Sequence, residues 1–214
     1  MTSPEVVRGA RRRAPTRGDV REQAILDGAR ALLEAKPLSQ VTVDELAGAA
    51  GISRSSFYFY FDGKPAVLAA LLDGLSDQLA AENAPWLEAL GPDVPALRQA
   101  VGHSVALWRT HGGLLRQAWR SDDADAQLAA WREGVVQRGT GRTAAKIARD
   151  RAAGLAPDGP PSPEVLARML HALRTDALAD RTHADRTDAD DAQDADARLV
   201  DDLVAATLRL LYGT

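Results

Sequence analysis

Apolar positions recur along this chain every three to four residues, separated by short polar breaks, and that period predicts helix nearly throughout. In "VREQAILDGARALLEAKP" the residues Val20, Ala24, Ile25, Ala29, Leu32 and Leu33 form one stripe on a helix that stops near Pro37. Thr42 opens the next helix with Glu45 three residues on. This is a capping box, in which hydroxyl and carboxylate satisfy free amides at the helix start. Gly51 supplies a tight turn and Ser53 caps another short helix. Later come "VLAALLDGLSDQLAA", "LRQAVGHSVALW", a short "LLRQAW", a segment from about 124 to 153, "SPEVLARMLHALRTDAL" and "ARLVDDLVAATLRLLY". Pro163 after Ser162 marks a clean helix start, because proline at the first helical position loses no hydrogen bond. About nine helices are expected, and no internal repeat.

One stretch departs from the helical period. All three phenylalanines of the chain, Phe57, Phe59 and Phe61, and two of its three tyrosines, Tyr58 and Tyr60, lie in "FYFYF". Taken alone, this alternation before Asp62-Gly63 reads as a strand entering a hairpin. The residues after the turn, however, carry a helical pattern, so the strand would be an unpaired aromatic edge prone to aggregation. As a helix beginning at Ser53, steps of 100° place Phe57 and Phe61 on one face, Ser55 and Phe59 opposite, and Tyr58 and Ser56 to either side. Ala47 and Ala50 on the preceding helix would allow a close crossing, with Gly51 making the turn and Ile52 plugging it. This is a helix-turn-helix pattern, whose second helix enters the major groove and touches bases with its first turn. The tyrosine hydroxyls can reach phosphates.

With 214 residues, 45% of them hydrophobic, the chain can bury a real core. It has no cysteine, which suits a reducing cytoplasm, and no run approaching the ~20 apolar residues of a spanning helix. A soluble, untargeted cytoplasmic protein without membrane partners is expected. The net charge of -4 hides an asymmetry. Arg8, Arg11, Arg12, Arg13, Arg17 and Arg21 face a single acid, Asp19, whereas Asp176, Asp180, Asp185, Asp188, Asp190, Asp191, Asp194 and Asp196 crowd one stretch near the C-terminus. A basic arm and an acidic loop can coexist in a DNA-binding protein because phosphates feel the local field. The arm is either a disordered, solubilising extension or a reach toward minor groove and phosphate. The aspartates lack the glycine and terminal glutamate of a calcium loop and read as a solvated linker. No nucleophile elbow, phosphate loop or paired-histidine motif is present. No enzyme activity, metal or cofactor is expected.

"TVDELAGAAGISRSSFYFYFDGKPAVLAALLD" (42–73) resembles the DNA-binding domain of TetR-family transcriptional regulators, and "FYFYF" resembles their EthR-like branch. Gly63-Lys64-Pro65 departs from the pattern, since members usually carry an acid after the lysine. The resemblance implies an all-α homodimer with a three-helix DNA-binding head and a larger ligand-binding, dimerising body. It implies that Thr42, Tyr58, Tyr60 and Lys64 contact phosphates and that Ser53, Arg54, Ser55 and Ser56 form the first turn of the recognition helix. Arg54 is the candidate base reader through guanine O6 and N7; a phosphate or solvent contact is the competing reading. For Tyr60 core packing competes with phosphate contact, and for Phe59 a sugar or thymine methyl contact is open.

The expected division is a basic, disordered arm over 1–17, the helix-turn-helix domain over 18–62, and a ligand-binding and dimerisation domain over 63–214 with an Asp-rich loop at 176–196. In the body His103, Leu107, Trp108, Trp119 and Trp131 lie on consecutive helical segments and can surround one cavity or simply fill core. Arg116, Arg138, His171 and Arg174 are candidates for a polar or anionic contact there. Gly134, Gly139 and Gly141 mark a kink or leave room for ligand. The last two helices carry apolar stripes suited to a four-helix interface: Leu166, Met169, Leu170 and Leu173, then Leu199, Leu203, Leu208 and Leu211. The reading is a regulator of near-palindromic operator DNA, a repressor released by a small, mostly lipophilic effector. The alternative is a small-molecule binding protein without DNA binding.

Overall fold

Thr16 starts the first helix of the computed structural model, which describes residues 16–120, 126–180 and 189–213. Its side chain and that of Asp19 close a capping box on α1 (Arg17–Ala35). Arg17 therefore belongs to a helix, and the rest of the expected basic arm, 1–15, lies outside the described residues. The buried stripe of α1 is narrower than its apolar pattern: Ile25, Ala29 and Leu33 are buried, whereas Val20 is 59% exposed. A turn of 3-10 helix (Leu38–Gln40) leads to α2 (Val43–Ala49) and α3 (Arg54–Tyr60).

Local chemistry sets the angle between α2 and α3. Gly51 adopts φ 65° after α2, its N–H bonds to the Gly48 carbonyl and the Ile52 N–H to that of Ala47, both at 3.0 Å. This pair of bonds is a Schellman motif, and the positive φ is cheap only without a Cβ. Ser53 then caps α3 by accepting from the Ser56 N–H. Seven residues are too few for a helix to stand alone, so burial holds α3 in place: Phe57 is fully buried and Phe61 nearly so, their rings 6.0 Å apart. Each such ring contributes about 1.5–3 kcal/mol on burial. A close helix crossing joins α1 to α2 at Gly28, where a Cβ would sit 2.8 Å from the Ala49 Cβ.

The body comprises α4 (Lys64–Glu88), α5 (Val94–Arg120), α6 (Ala126–Ala152), α7 (Pro163–Asp180) and α8 (Ala189–Tyr212). The two segments expected over "LRQAVGHSVALW" and "LLRQAW" run as one helix, α5, bent at His111 (φ -118°, ψ 17°) just before Gly112-Gly113. Glycine pairs are a recurrent cause of such kinks. Among the described residues there are accordingly eight α-helices rather than about nine. Because α7 reaches Asp180 and α8 starts at Ala189, the Asp-rich connection is shorter than expected, and 181–188 lie outside the described residues. Asp196, on α8, pairs with Arg109 of α5 at 3.1 Å, and Asp201 pairs with Arg98. No described helix is long and apolar enough to cross a membrane.

A buried polar clasp closes one end of the body. The Lys146 ammonium, fully buried, donates to the carbonyls of Ala89 and Gly91 and meets the Asp150 carboxylate at 3.0 Å. Asp150 also accepts from the Gly91 N–H and from the Tyr212 hydroxyl, at 2.9 and 2.7 Å. Burial alone would push Asp150 up, but hydrogen bonds from Tyr212, Gly91 and Lys146 outweigh it and hold the carboxyl below its ordinary range. The clasp fastens the α4–α5 turn, α6 and the end of α8 to one another.

Gly28→Ala tests the crossing of α1 and α2. Alanine gains about 1 kcal/mol in helix propensity, but overpacking costs about 1–3 kcal/mol. The thermal midpoint is expected to fall, and an unchanged or raised midpoint would mean that the two helices separate at no cost.

Candidate functional site

The first turn of α3 is exposed. Arg54, Ser55, Tyr58 and Phe59 all face solvent, with Phe59 at 85% the most exposed large apolar side chain described. Arg54 donates to the Asp44 carboxylate at 2.7 Å, and its guanidinium lies 5.9 Å from the centre of the Tyr58 ring. The Asp44 hydrogen bond and charge raise the Arg54 pKa further, so the residue is cationic at any relevant pH. Ser53 spends its hydroxyl on capping and on contacts with Ser55 and Ser56, both at 2.9 Å. Tyr58 stands edge-on to buried Phe57 at 5.6 Å, and half-buried Tyr60 packs on the core while meeting Phe59 edge-on at 5.4 Å.

Two of the expected phosphate contacts also have work inside the head. Thr42 is exposed, but its hydroxyl accepts from the Glu45 N–H and donates to the Glu45 carboxylate. Half-buried Lys64 donates to the carbonyls of Leu38 and Val41 at 2.9 and 2.7 Å, joining the start of α4 to the turn before α2. The structure does not gather Lys64 with the exposed set on α3. Glu45 additionally receives the Lys36 ammonium at 2.5 Å. That hydrogen bond first, and those of Thr42 next, hold the Glu45 carboxyl down to about 2.

The body holds a partly open cavity of about 630 Å³. All four tryptophans of the chain line it: Trp86 from α4, Trp108 and Trp119 from either side of the α5 kink, and Trp131 from α6. Trp119 meets Trp108 at 6.3 Å and Trp131 at 5.8 Å, both edge to face, the arrangement aromatic quadrupoles prefer. Trp131 is anchored by donating Nε1–H to Asp73 at 2.8 Å. Of the expected ligand residues, Leu107, Trp108, Trp119, Trp131, His171 and Arg174 line the cavity. His103 does not, because its step on α5 carries it toward Glu82 of α4, 3.8 Å away, while Ser104 and Leu107 face inward. Arg116 lies in a separate cleft between head and body, beside Leu38 and Lys64. Gly139 and Gly141 line the cavity and a Cβ on either would meet nothing within 4 Å, whereas Gly134 is not part of the wall. α6 runs through all three glycines without ending.

Sequence reasoning missed Trp86, which follows Pro85 at the end of α4 where no amphipathic stripe points to it. It also missed Gln117, whose amide donates to the Leu33 carbonyl at 2.5 Å and accepts from the Leu38 N–H at 2.7 Å. Gln117 lies between the cavity residues Leu115 and Trp119, so one short stretch of α5 touches both cavity and head. His111, at the kink, adds a 3.2 Å contact to Glu34 of α1.

Comparisons with known proteins agree on both halves. The family of bacterial regulatory proteins of the tetR type matches residues 25–71, and the C-terminal domain of the transcriptional regulator EthR matches residues 97–213. The HTH-type transcriptional regulator EthR of Mycolicibacterium smegmatis is 31% identical over 205 residues, covering 95% of this chain and 92% of that protein. Among solved structures, NalD, the secondary repressor of the MexAB-OprM multidrug efflux pump in Pseudomonas aeruginosa, superposes with a TM-score of 0.68 at 20% identity, over 91% of this chain and 98% of that one. A complex of SmeT with triclosan gives 0.70 at 22% identity, over 90% and 92%.

The depressed Glu45 carboxyl predicts how the head responds to pH. A carboxyl held below its unfolded value of 4.5 contributes stability above that pH and loses it as pH falls toward about 2. Glu45→Gln is therefore expected to lower the denaturation midpoint at neutral pH, with the gap to the unsubstituted protein closing between those two values. A gap independent of pH would show that the charge of Glu45 does not hold the head together.

Proposed function

This chain belongs to the TetR family of bacterial regulatory proteins, with an EthR-type C-terminal domain, and from that premise we propose that it is a repressor whose hold on operator DNA is released when a small lipophilic molecule fills the body cavity. The observation that carries the proposal is the double attachment of α5, which supplies Leu107, Trp108, Leu115 and Trp119 to the cavity and Gln117 to the head. Side chains pushed outward by a ligand would move Gln117, and with it the Leu33–Leu38 stretch that positions α2 and α3. A ligand acts in this way only through its different affinity for the two arrangements. The triclosan bound to SmeT supports a lipophilic occupant, as do the four tryptophans.

On DNA, α3 lies in the major groove. Arg54 exchanges Asp44 for a guanine edge, Ser53, Ser55 and Ser56 follow the groove, and Thr42, Tyr58 and Tyr60 take phosphates. Lys64 serves there by holding the start of α4 to the head. Phe59 covers a sugar or a thymine methyl, which accounts for a phenyl ring otherwise left in water.

Two copies act together, so that the recognition helices reach successive major grooves roughly 34 Å apart on a near-palindromic site. Of the apolar stripe on α7, Leu166 and Leu170 enter the core of one chain, whereas Met169 and Leu173 are 48% and 42% exposed. With half-buried Leu199 and Leu208 of α8 they form the face offered to the second copy.

The test is fluorescence-anisotropy binding to DNA from the protein's own upstream region beside a scrambled duplex, across a salt series. Selective binding is expected, with Arg54→Ala losing about 1–3 kcal/mol of discrimination. Phe59→Ala is expected to weaken binding while leaving the thermal midpoint in place, since the ring is exposed. Gln117→Ala is expected to bind operator and fill its cavity yet no longer release DNA. Equal affinity for both duplexes would overturn sequence-specific regulation.

A further inference from the structure

We propose that the effector is an amphiphile with an anionic head, a carboxylate being the simplest, which Arg174 receives while the apolar chain lies against the tryptophans. This rests on the cavity being the effector site and adds the chemical class of its ligand. Arg174, on α7, lines the cavity with its guanidinium carbon 5.3 Å from the centre of the Trp86 ring. Its Nη2 donates to Thr207 Oγ1 at 3.2 Å, and Thr207 is fully buried with its own hydroxyl donated to the Leu203 carbonyl at 2.7 Å. The guanidinium is thus held in one orientation from α8.

Part of that group is unsatisfied. Arg174 Nε is enclosed and meets no hydrogen-bond partner, and among the described residues no carboxylate reaches ion-pair distance of the guanidinium. Burial lowers its pKa to about 10, which still leaves it charged at neutral pH. The second cation over the Trp86 ring, Lys146 at 5.5 Å, differs in being matched by Asp150. Trp86 Nε1, another cavity donor, is likewise enclosed without a partner. The remaining charged residues of the lining do not compensate Arg174. Asp77, Arg138 and Arg142 are exposed, Arg138 lies 3.8 Å from Asp73, and Arg142 turns to the Ala80 carbonyl. His171 is held toward its neutral form by burial and by the Arg174 charge.

A half-buried guanidinium held in place, with Nε enclosed and no counter-charge, favours a ligand that brings one, because a desolvated charge without a partner is costly and a carboxylate fits the planar fork of arginine. The tryptophans and leucines make much of the remaining wall apolar, so the counter-charge sits at one end of a largely apolar body.

The experiment titrates the full-length protein with decanoate, decan-1-ol and methyl decanoate, reading tryptophan emission, for the unsubstituted chain, Arg174→Met and Arg174→Lys. Decanoate is expected to bind about tenfold or more tighter than the two neutral probes. Arg174→Met should abolish that preference and Arg174→Lys keep part of it, with thermal melting confirming that each variant folds. Equal affinities in the unsubstituted protein, or a preference that survives in folded Arg174→Met, would overturn the anionic head while leaving a lipophilic effector intact. No emission change with any of the three probes would overturn both this inference and the cavity as a lipophilic effector site. If Arg174→Met does not fold, the comparison of head groups in the unsubstituted chain decides the matter.

Discussion

The Gln117 side-chain amide uses both of its ends to hold the DNA-reading head on the sensing body: its nitrogen donates to the last turn of α1 and its oxygen accepts from the 3-10 turn beyond it. A primary amide is suited to this because it offers donor and acceptor on one rigid plane. Both backbone partners sit at the end of a helix or in a connecting turn, where carbonyl and N–H groups lack intrahelical partners. Breaking the contact would leave two such groups unsatisfied, at a cost of about 1–3 kcal/mol each where they are buried. The Lys64 ammonium fastens the same turn from the other side. The head therefore follows the body through these polar contacts on α4 and α5 as well as through the apolar core that α1 shares with them.

Within the head, acids are placed to order the chain before DNA is present. Glu45 closes the cap of α2 and holds Lys36, and Asp44 parks the Arg54 guanidinium beside Tyr58. The Arg54–Asp44 pair is exposed, and exposed ion pairs are worth little in net stability. The Arg54 guanidinium is thus easily freed from Asp44. The body uses its charges differently: Lys146 and Asp150 are enclosed and matched, with Tyr212 and Gly91 completing their hydrogen bonds. Arg174 breaks that pattern, and it does so at the cavity wall.

The head is legible in the sequence because its determinants are local. The Thr42–Glu45 box, the Gly51 turn and the Ser53 cap each lie within one short stretch of chain, and 100° steps divide "FYFYF" correctly into buried Phe57 and Phe61 and outward Phe59. Gly28, where α1 crosses α2, carries no local signal; its meaning is the position of Ala49. In the body, Trp108, Trp119 and Trp131 can be named as neighbours from their order along the chain, but Trp86 and His103 cannot be placed, since which way each helix face turns is set by packing. The clasp joins Gly91, Lys146, Asp150 and Tyr212 across up to 121 residues, and no periodicity reports a hydrogen bond at that range.

Release of DNA by a bound molecule requires coupling between cavity and recognition helices, and the separation of those helices measures it directly. The chain has no cysteine, so Asp62→Cys places one spin label beside α3 in each copy, and double electron–electron resonance reads the distance between them. Coupling predicts one distance distribution on operator DNA, compatible with grooves roughly 34 Å apart, and a shifted one when a ligand that saturates the tryptophan signal fills the cavity, with the shift lost in Gln117→Ala. A distribution that stays the same while the cavity fills would contradict it.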